Sequence, residues 1–143
     1  MKTMKAIAVS LLFMLLVGGC AMTTTDGRSS VPLPPGTLTA GEVTALFSGR
    51  TVESVLDSNN RVSLTYYNPN GQTSQLQSGQ KRSGAWRVDD GGRICLKFGE
   101  EREKCRIIVK EGAVYAKYVV KKSGQHERVL TYTSFTEGNR VGL

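Results

Sequence analysis

Alternating apolar and polar positions dominate the chain after Gly49. RVSLTYY alternates Val62, Leu64 and Tyr66 with polar residues, as a strand with one buried face requires. The alternation recurs in GAWRV, RICLKF, VYAKYVV and RVLTYTSF, with turns at NPNG, DDGG and KKSGQ. Together with weaker strands over 51–56 and 73–78, this spacing predicts a mainly β fold. It is an antiparallel meander of about eight strands, closed as a small calycin-like barrel or folded as a sandwich, and we favour the barrel.

The alternation also predicts which face of each strand is buried. Trp86, the only tryptophan, is flanked by Ala85 and Arg87, which directs its ring inward. By the same rule the inward-facing residues are Val62, Leu64, Tyr66, Trp86, Val88, Ile94, Leu96, Phe98, Val114, Ala116, Tyr118 and Val120.

One short helix is predicted before the strands, in LTAGEVTALFSG. Thr39 can cap it while Glu42, three residues later, reaches back to the cap amide, and Gly49 can stop it. Three apolar residues share the face that would close one end of a sheet, namely Val43, Leu46 and Phe47.

A basic start and a short apolar stretch open the chain. Lys2 and Lys5 precede apolar residues 6–17, a stretch shorter than the ~20 residues of a spanning helix. The VGG before Cys20 resembles the lipobox of bacterial lipoproteins. In that family the thiol receives a diacylglycerol, the signal is removed, and the new N-terminus is acylated. The alternative is an ordinary signal peptide with a cysteine nearby.

The lipobox resemblance implies a protein anchored through Cys20. Each buried methylene contributes about 0.8 kcal/mol, so three acyl chains hold firmly. Ala21 stands where inner-membrane retention usually wants an aspartate, so we expect the outer membrane, with the domain in the periplasm. Residues 22–35 lack apolar periodicity and predict a flexible tether. The expected organisation is a signal peptide (1–19), a lipid-anchored linker (20–36), one β-rich domain (37–136) and a C-terminal tail (137–143).

The chain is basic, with a formal charge of +7 at pH 7. Removal of Lys2 and Lys5 with the signal subtracts two charges and leaves +5. A basic surface fits an anionic glycan or an acidic envelope protein as partner, and a solvated face would also explain it. We expect no nucleic-acid partner, because no basic motif rich in aromatic residues occurs.

Two further cysteines, Cys95 and Cys105, flank a polar turn at 99–102 symmetrically. A hairpin would bring them face to face, and an oxidising compartment favours a disulfide. Two cysteines without a nearby histidine cannot complete a tetrahedral metal site, so we expect no metal and no cofactor. Strict alternation puts Ile107 on the face of Cys105 but Ile94 opposite Cys95. A β-bulge near the turn or a strand buried on both faces would explain this.

Three motifs cover most of residues 38–120. They are LTAGEVTALFSGRTV, YYNPNGQ, and GAWRVDDGGRICLKF followed by the second cysteine. Together they resemble a family of small periplasmic β proteins with two cysteines and no established activity. Asn70 stands where the family often has an aspartate, which leaves the turn intact. The resemblance implies a fold and carries no activity, because turns, a tryptophan and a disulfide are structural features.

The sequence contains no catalytic motif. His126, the only histidine, lies in KKSGQHER without an acidic partner at a motif spacing, and Asp89 and Asp90 precede glycines and indicate a turn. No nucleophile elbow or phosphate loop occurs. We therefore expect a protein that is not an enzyme.

Three non-enzymatic functions stay open. We favour a structural or interaction protein that docks its barrel on an envelope partner. The second is a binder of a small ligand or glycan in a barrel cavity, for which Tyr66, Trp86 and Tyr118 are the candidate residues, although such aromatic residues are also typical of a plain core. The third is an inhibitor of an envelope or host hydrolase.

Overall fold

One helix and eight antiparallel strands make up residues 31–142, the part of the chain that the computed structural model describes. The elements are α1 (Ala40–Phe47), β1 (Arg50–Leu56), β2 (Val62–Tyr67), β3 (Gln72–Gln77), β4 (Gln80–Val88), β5 (Ile94–Phe98), β6 (Lys104–Glu111), β7 (Val114–Val120) and β8 (His126–Glu137). Each strand pairs with the next in sequence, and β8 pairs with β1 to close a barrel. The predicted small closed barrel is confirmed.

The meander gives the barrel two different ends. Odd-numbered strands run from the end where α1 lies, the closed end, towards the opposite end, the open end. The open end therefore carries the β1–β2, β3–β4, β5–β6 and β7–β8 turns. No helix within residues 31–142 is long and apolar enough to cross a bilayer.

Helix α1 covers the closed end. Thr39 and Glu42 form the predicted capping box, with the Thr39 amide donating to Glu42 Oε2 at 2.8 Å. Phe47 is fully buried and packs edge-on against Tyr67 and Tyr132, with ring centroids 5.0 and 5.1 Å away. The helix thus supplies an aromatic plug to the core at this end.

Strands β2 and β7 face the opposite way from the predicted alternation. In β2 the buried positions are Ser63, Thr65 and Tyr67, whereas Val62 is 49% exposed. In β7 Lys117 faces the barrel interior, over the ring of Tyr132, whereas Ala116 of the predicted inward face is fully buried on the other side of the strand. The prediction was wrong there because it assumed an apolar interior throughout, and the half of the barrel towards the open end is polar.

Strand β6 is buried on both faces, which explains the position of Ile107. Cys95 pairs with Cys105 in regular register, without a bulge. Beyond this point the segment 36–38 pairs with β6, with the Leu38 amide donating to the Ile108 carbonyl at 2.9 Å. Ile107, Ile108 and their neighbour Val109 are all at most 2% exposed.

Candidate functional site

Polar side chains fill the interior of the barrel towards the open end. Ser54, Ser63, Thr65 and Gln75 are all buried. The Ser54 and Ser63 hydroxyls lie 3.0 Å apart, and Gln75 Nε2 donates to Thr65 Oγ1 at 3.0 Å. These bonds offset the cost of removing the groups from water. A polar interior of this kind is suited to holding something more polar than a hydrocarbon core.

A cavity of about 270 Å³ opens at this end, and we call it the cup. Its lining comes from all eight strands and the β5–β6 turn. The residues are Leu56, Ser63, Gln75, Gln77, Arg82, Leu96, Phe98, Glu101, Lys104, Arg106, Lys117, Val129 and Leu130.

At the rim of the cup two cations share one carboxylate. Glu101 accepts from Arg82 Nη1 at 3.0 Å and from Lys104 Nζ at 2.8 Å. Arg82 also donates to Gln75 Oε1 at 2.7 Å, and its guanidinium lies 4.0 Å above the Phe98 ring centroid. Among the lining residues Glu101 is the sole carboxylate, and both rim cations share it. The Glu101 carboxylate is therefore already paired with two cations at the rim.

The floor of the cup carries two cations that no carboxylate neutralises. Lys117 is only 9% exposed, and its ammonium lies 5.7 Å from the Tyr132 ring centroid. Among the described residues no ion pair involves Lys117 or Arg106, and Arg106 uses one nitrogen to donate to the Cys105 carbonyl at 2.9 Å. Burial, with the nearby Arg106 charge, lowers the pKa of Lys117 to about 8. At neutral pH the floor is therefore positive.

The two buried tyrosines next to the floor stay neutral. Burial raises the pKa of Tyr67 and of Tyr132 above that of an ordinary phenol. Neither phenol can supply a negative charge to Lys117 near neutral pH.

Apolar side chains complete the cup wall. Leu96 and Phe98 come from β5, and Leu56, Val129 and Leu130 come from the β1–β8 side. Apolar walls with a few convergent polar groups are typical of small-ligand sites. The combination fits an amphiphile with an anionic group.

The three aromatic residues predicted to bind ligand do not line the cup. Trp86 belongs to the core at the closed end, where its Nε1 donates to the Asn68 carbonyl at 2.7 Å. Tyr66 is half-buried on the outer side of β2, and the Tyr118 hydroxyl donates to Glu111. The structure therefore does not bring these three side chains together.

The cysteine predictions have different outcomes. Cys95 and Cys105 form the predicted disulfide, with an S–S distance of 2.02 Å. The Asp89 carboxylate lies within 4.8 Å of both sulfurs, but bonded sulfurs are not thiolates and make no zinc-type donor set. Cys20, the predicted lipidation site, lies outside the described residues, so its role stays a prediction.

Sequence reasoning missed the residues that the cup does use. Lys117 interrupts VYAKYVV and Arg106 begins the RIIV run, so each is a cation within an apolar strand. That position was a usable signal, because a charge on a buried strand needs a partner. His126, which the sequence places at the end of the polar segment KKSGQHER, is half-buried as the first residue of β8.

Comparison with known proteins adds no identity, since neither a family model nor a curated protein matches the chain.

Proposed function

We propose that this chain is a lipid-anchored protein of the bacterial cell envelope, and that its barrel binds a small amphiphilic anion in the cup without catalysing a reaction. The anchor and the location come from the Cys20 motif, and the ligand class comes from the cup.

The observation that carries the proposal is the buried, unneutralised ammonium of Lys117. A buried cation without an acidic partner is costly, and proteins retain such costs mainly at functional sites. Arg106 beside it increases the cost. A bound anion would relieve both charges at once.

The dimensions of the cup limit the ligand. A volume of about 270 Å³ is at the lower end for small-molecule pockets. It suits one phosphate or carboxylate group with the first part of an apolar chain, and the rest of a longer chain would extend out of the open end. The anionic group would lie near Lys117 and Arg106, and the apolar portion would contact Phe98, Val129 and Leu130.

The other two functions inferred from sequence stay predictions. A docking protein and a hydrolase inhibitor both use the outer surface, and neither explains a polar interior with two unneutralised cations. We therefore place the ligand binder first.

Calorimetric titration of the full chain tests this function. Decyl phosphate should bind at neutral pH, and decanol, which has the same chain without the charge, should bind much more weakly. Lys117→Met should weaken decyl phosphate binding about 10- to 100-fold, because hydrogen bonds to charged groups contribute about 1.5–3 kcal/mol.

Lys110→Met is the matched control, because Lys110 is exposed near the closed end of β6. It removes the same charge and should leave the affinity unchanged. Equal affinities for decyl phosphate and decanol, or equal losses in the two variants, would refute the proposed site.

A further inference from the structure

Exposed apolar side chains gather at the open end of the barrel. Val62 begins β2, Val120 ends β7, and Val31 lies beside Gly124 in the β7–β8 turn. These valines are 43–49% exposed and are three of the five large apolar residues exposed among residues 31–142. They lie at the open end on the side of the barrel formed by β7, β8, β1 and β2.

Unpaired basic residues lie at the same end. Arg61, Arg102 and Lys122 occupy the β1–β2, β5–β6 and β7–β8 turns, and all three are exposed. Within residues 31–142 none of them joins an ion pair, and Glu100 is the one carboxylate of these turns that also lacks one. In the three strand-connecting turns of the closed end, by contrast, Asp90 is the one charged residue outside an ion pair among the described residues. The open end is therefore the cationic end.

The chain leaves the barrel towards Cys20 at this end. Val31 is the first described residue and lies against Gly124 of the β7–β8 turn. Ten residues separate Cys20 from Val31. Even fully extended, that length spans at most about 40 Å. A lipid on Cys20 would keep the open end close to the bilayer.

We infer that the open end docks on an anionic phospholipid bilayer, and that the cup takes its anion from a phospholipid headgroup. The valines would enter the interface while the basic turns contact anionic headgroups, the pattern of peripheral membrane binding. A tether that begins at the same end makes docking intramolecular and so favours it. The assignment of the anion to a lipid headgroup rests on the proposed function, whereas docking of the open end on the bilayer does not.

Vesicles containing a headgroup-quencher lipid test the orientation of the full chain. A fluorophore is attached through Ser58→Cys in the β1–β2 turn or through Ala113→Cys in the β6–β7 turn at the closed end. With phosphatidylcholine and phosphatidylglycerol mixed, the Ser58 probe should be quenched and the Ala113 probe spared. In phosphatidylcholine alone the Ser58 quenching should fall. Equal quenching of the two probes, or no dependence on the anionic lipid, would overturn docking.

Two double variants test the charge contribution. Arg61→Ser with Lys122→Ser should lower the docking equilibrium constant about 30-fold, since each basic residue near an anionic surface contributes about fivefold. Lys110→Ser with Arg140→Ser removes the same charge from other exposed positions and should change docking little. Equal effects of the two pairs would refute a specific membrane-facing end.

Soluble ligands distinguish a phospholipid headgroup from free phosphate as the anion that the cup binds. Short-chain phosphatidylglycerol should bind the parent chain more tightly than inorganic phosphate, and Lys117→Met should weaken its binding while rim docking persists. If inorganic phosphate binds as tightly, the headgroup assignment is wrong and the cup is a phosphate site. If Lys117→Met leaves all anion binding intact while the probes still report docking, the proposed function fails and the membrane-facing end stands.

Discussion

The ammonium of Lys117 lowers the stability of the fold as long as it is protonated. Its pKa falls from 10.5 to about 8 on folding, because burial and Arg106 disfavour the charged form. Between about pH 8 and 10.5 the unfolded chain binds more protons than the folded chain, so stability rises with pH across this window. Below pH 8 the whole penalty is present.

We therefore expect Lys117→Met to stabilise the unliganded protein at pH 7. A shift of this size corresponds to about 3 kcal/mol, and solvent access through the cup would reduce it. Denaturant unfolding at several pH values measures the gain, which should shrink as pH rises from 8 towards 10.5. A variant that is less stable than the parent at pH 7 would show that Lys117 contributes favourable packing or bonding instead.

The same residue should make ligand binding pH-dependent. The groups facing Lys117 are Arg106 and Tyr132, and burial raises the pKa of Tyr132 while it lowers that of Lys117 to about 8. Above about pH 7 the phosphate group is doubly ionised, since its second pKa is about 6. From there decyl phosphate affinity should stay constant to about pH 8 and fall by up to about tenfold per pH unit above it. Calorimetry across this range would measure the slope. The Lys117→Met variant should show no such fall, and a parallel fall in both proteins would exclude Lys117 as the titrating group.

At the level of elements, the closed end depends on Trp86 of β4. Its ring packs edge-on against Tyr67 with centroids 5.3 Å apart, and its indole nitrogen is bonded to the Asn68 carbonyl. Trp86→Ala should cost about 3–5 kcal/mol, as truncation of a buried aromatic side chain usually does. Denaturant unfolding checks this, with Val62→Ala on the exposed side of β2 as the control. Two variants of equal stability would contradict the core role of Trp86.

The disulfide links β5 and β6, the neighbouring strands of the barrel that share the fewest residue pairs. Strands β5 and β6 share three residue pairs, and Cys95–Cys105 is the central one. Arg106 of the cup floor pairs with Ile94 between the same two strands. Replacing both cysteines by alanine should cost about 3 kcal/mol for a loop of this length and should also weaken anion binding. Unfolding and titration measure the two effects, and unchanged values for both would show that β5 and β6 stay paired without the bond.

The sequence pattern predicted elements better than it predicted faces. Alternation correctly oriented β5, whose Ile94 is buried and whose Leu96 packs against the core, and the capping box located α1. It failed for β2 because Ser63 and Thr65 point into a polar interior. That interior forms only when the eight strands close into a barrel, so the sequence of β2 alone does not reveal it. Period-two reasoning assumes that the apolar face is inward, so a polar cup reverses the prediction.

At the scale of the whole molecule, the two halves of the barrel differ in the side chains that fill their interior. The half under α1 is aromatic and closed, and it supplies the stability. The half at the open end contains hydrogen-bonded polar residues, and Lys117 in its floor lowers stability. A functional site that lowers stability needs a well-packed neighbour, and the aromatic half provides one. This division could not be inferred from sequence, because it depends on which strand ends the meander brings together.

The anchor is the last feature on which the whole arrangement depends. If Cys20 carries lipid, Cys20→Ser should lose palmitate labelling and leave the membrane fraction, because docking through the rim alone is reversible and weaker than three acyl chains. Metabolic labelling and fractionation of cells measure the two effects. Ala21→Ser is the matched control, since it makes a similar change one residue away and keeps the thiol. Label retained on Cys20→Ser would exclude this cysteine as the lipidation site. Loss of label with full membrane retention would instead mean that the barrel binds the membrane without a lipid.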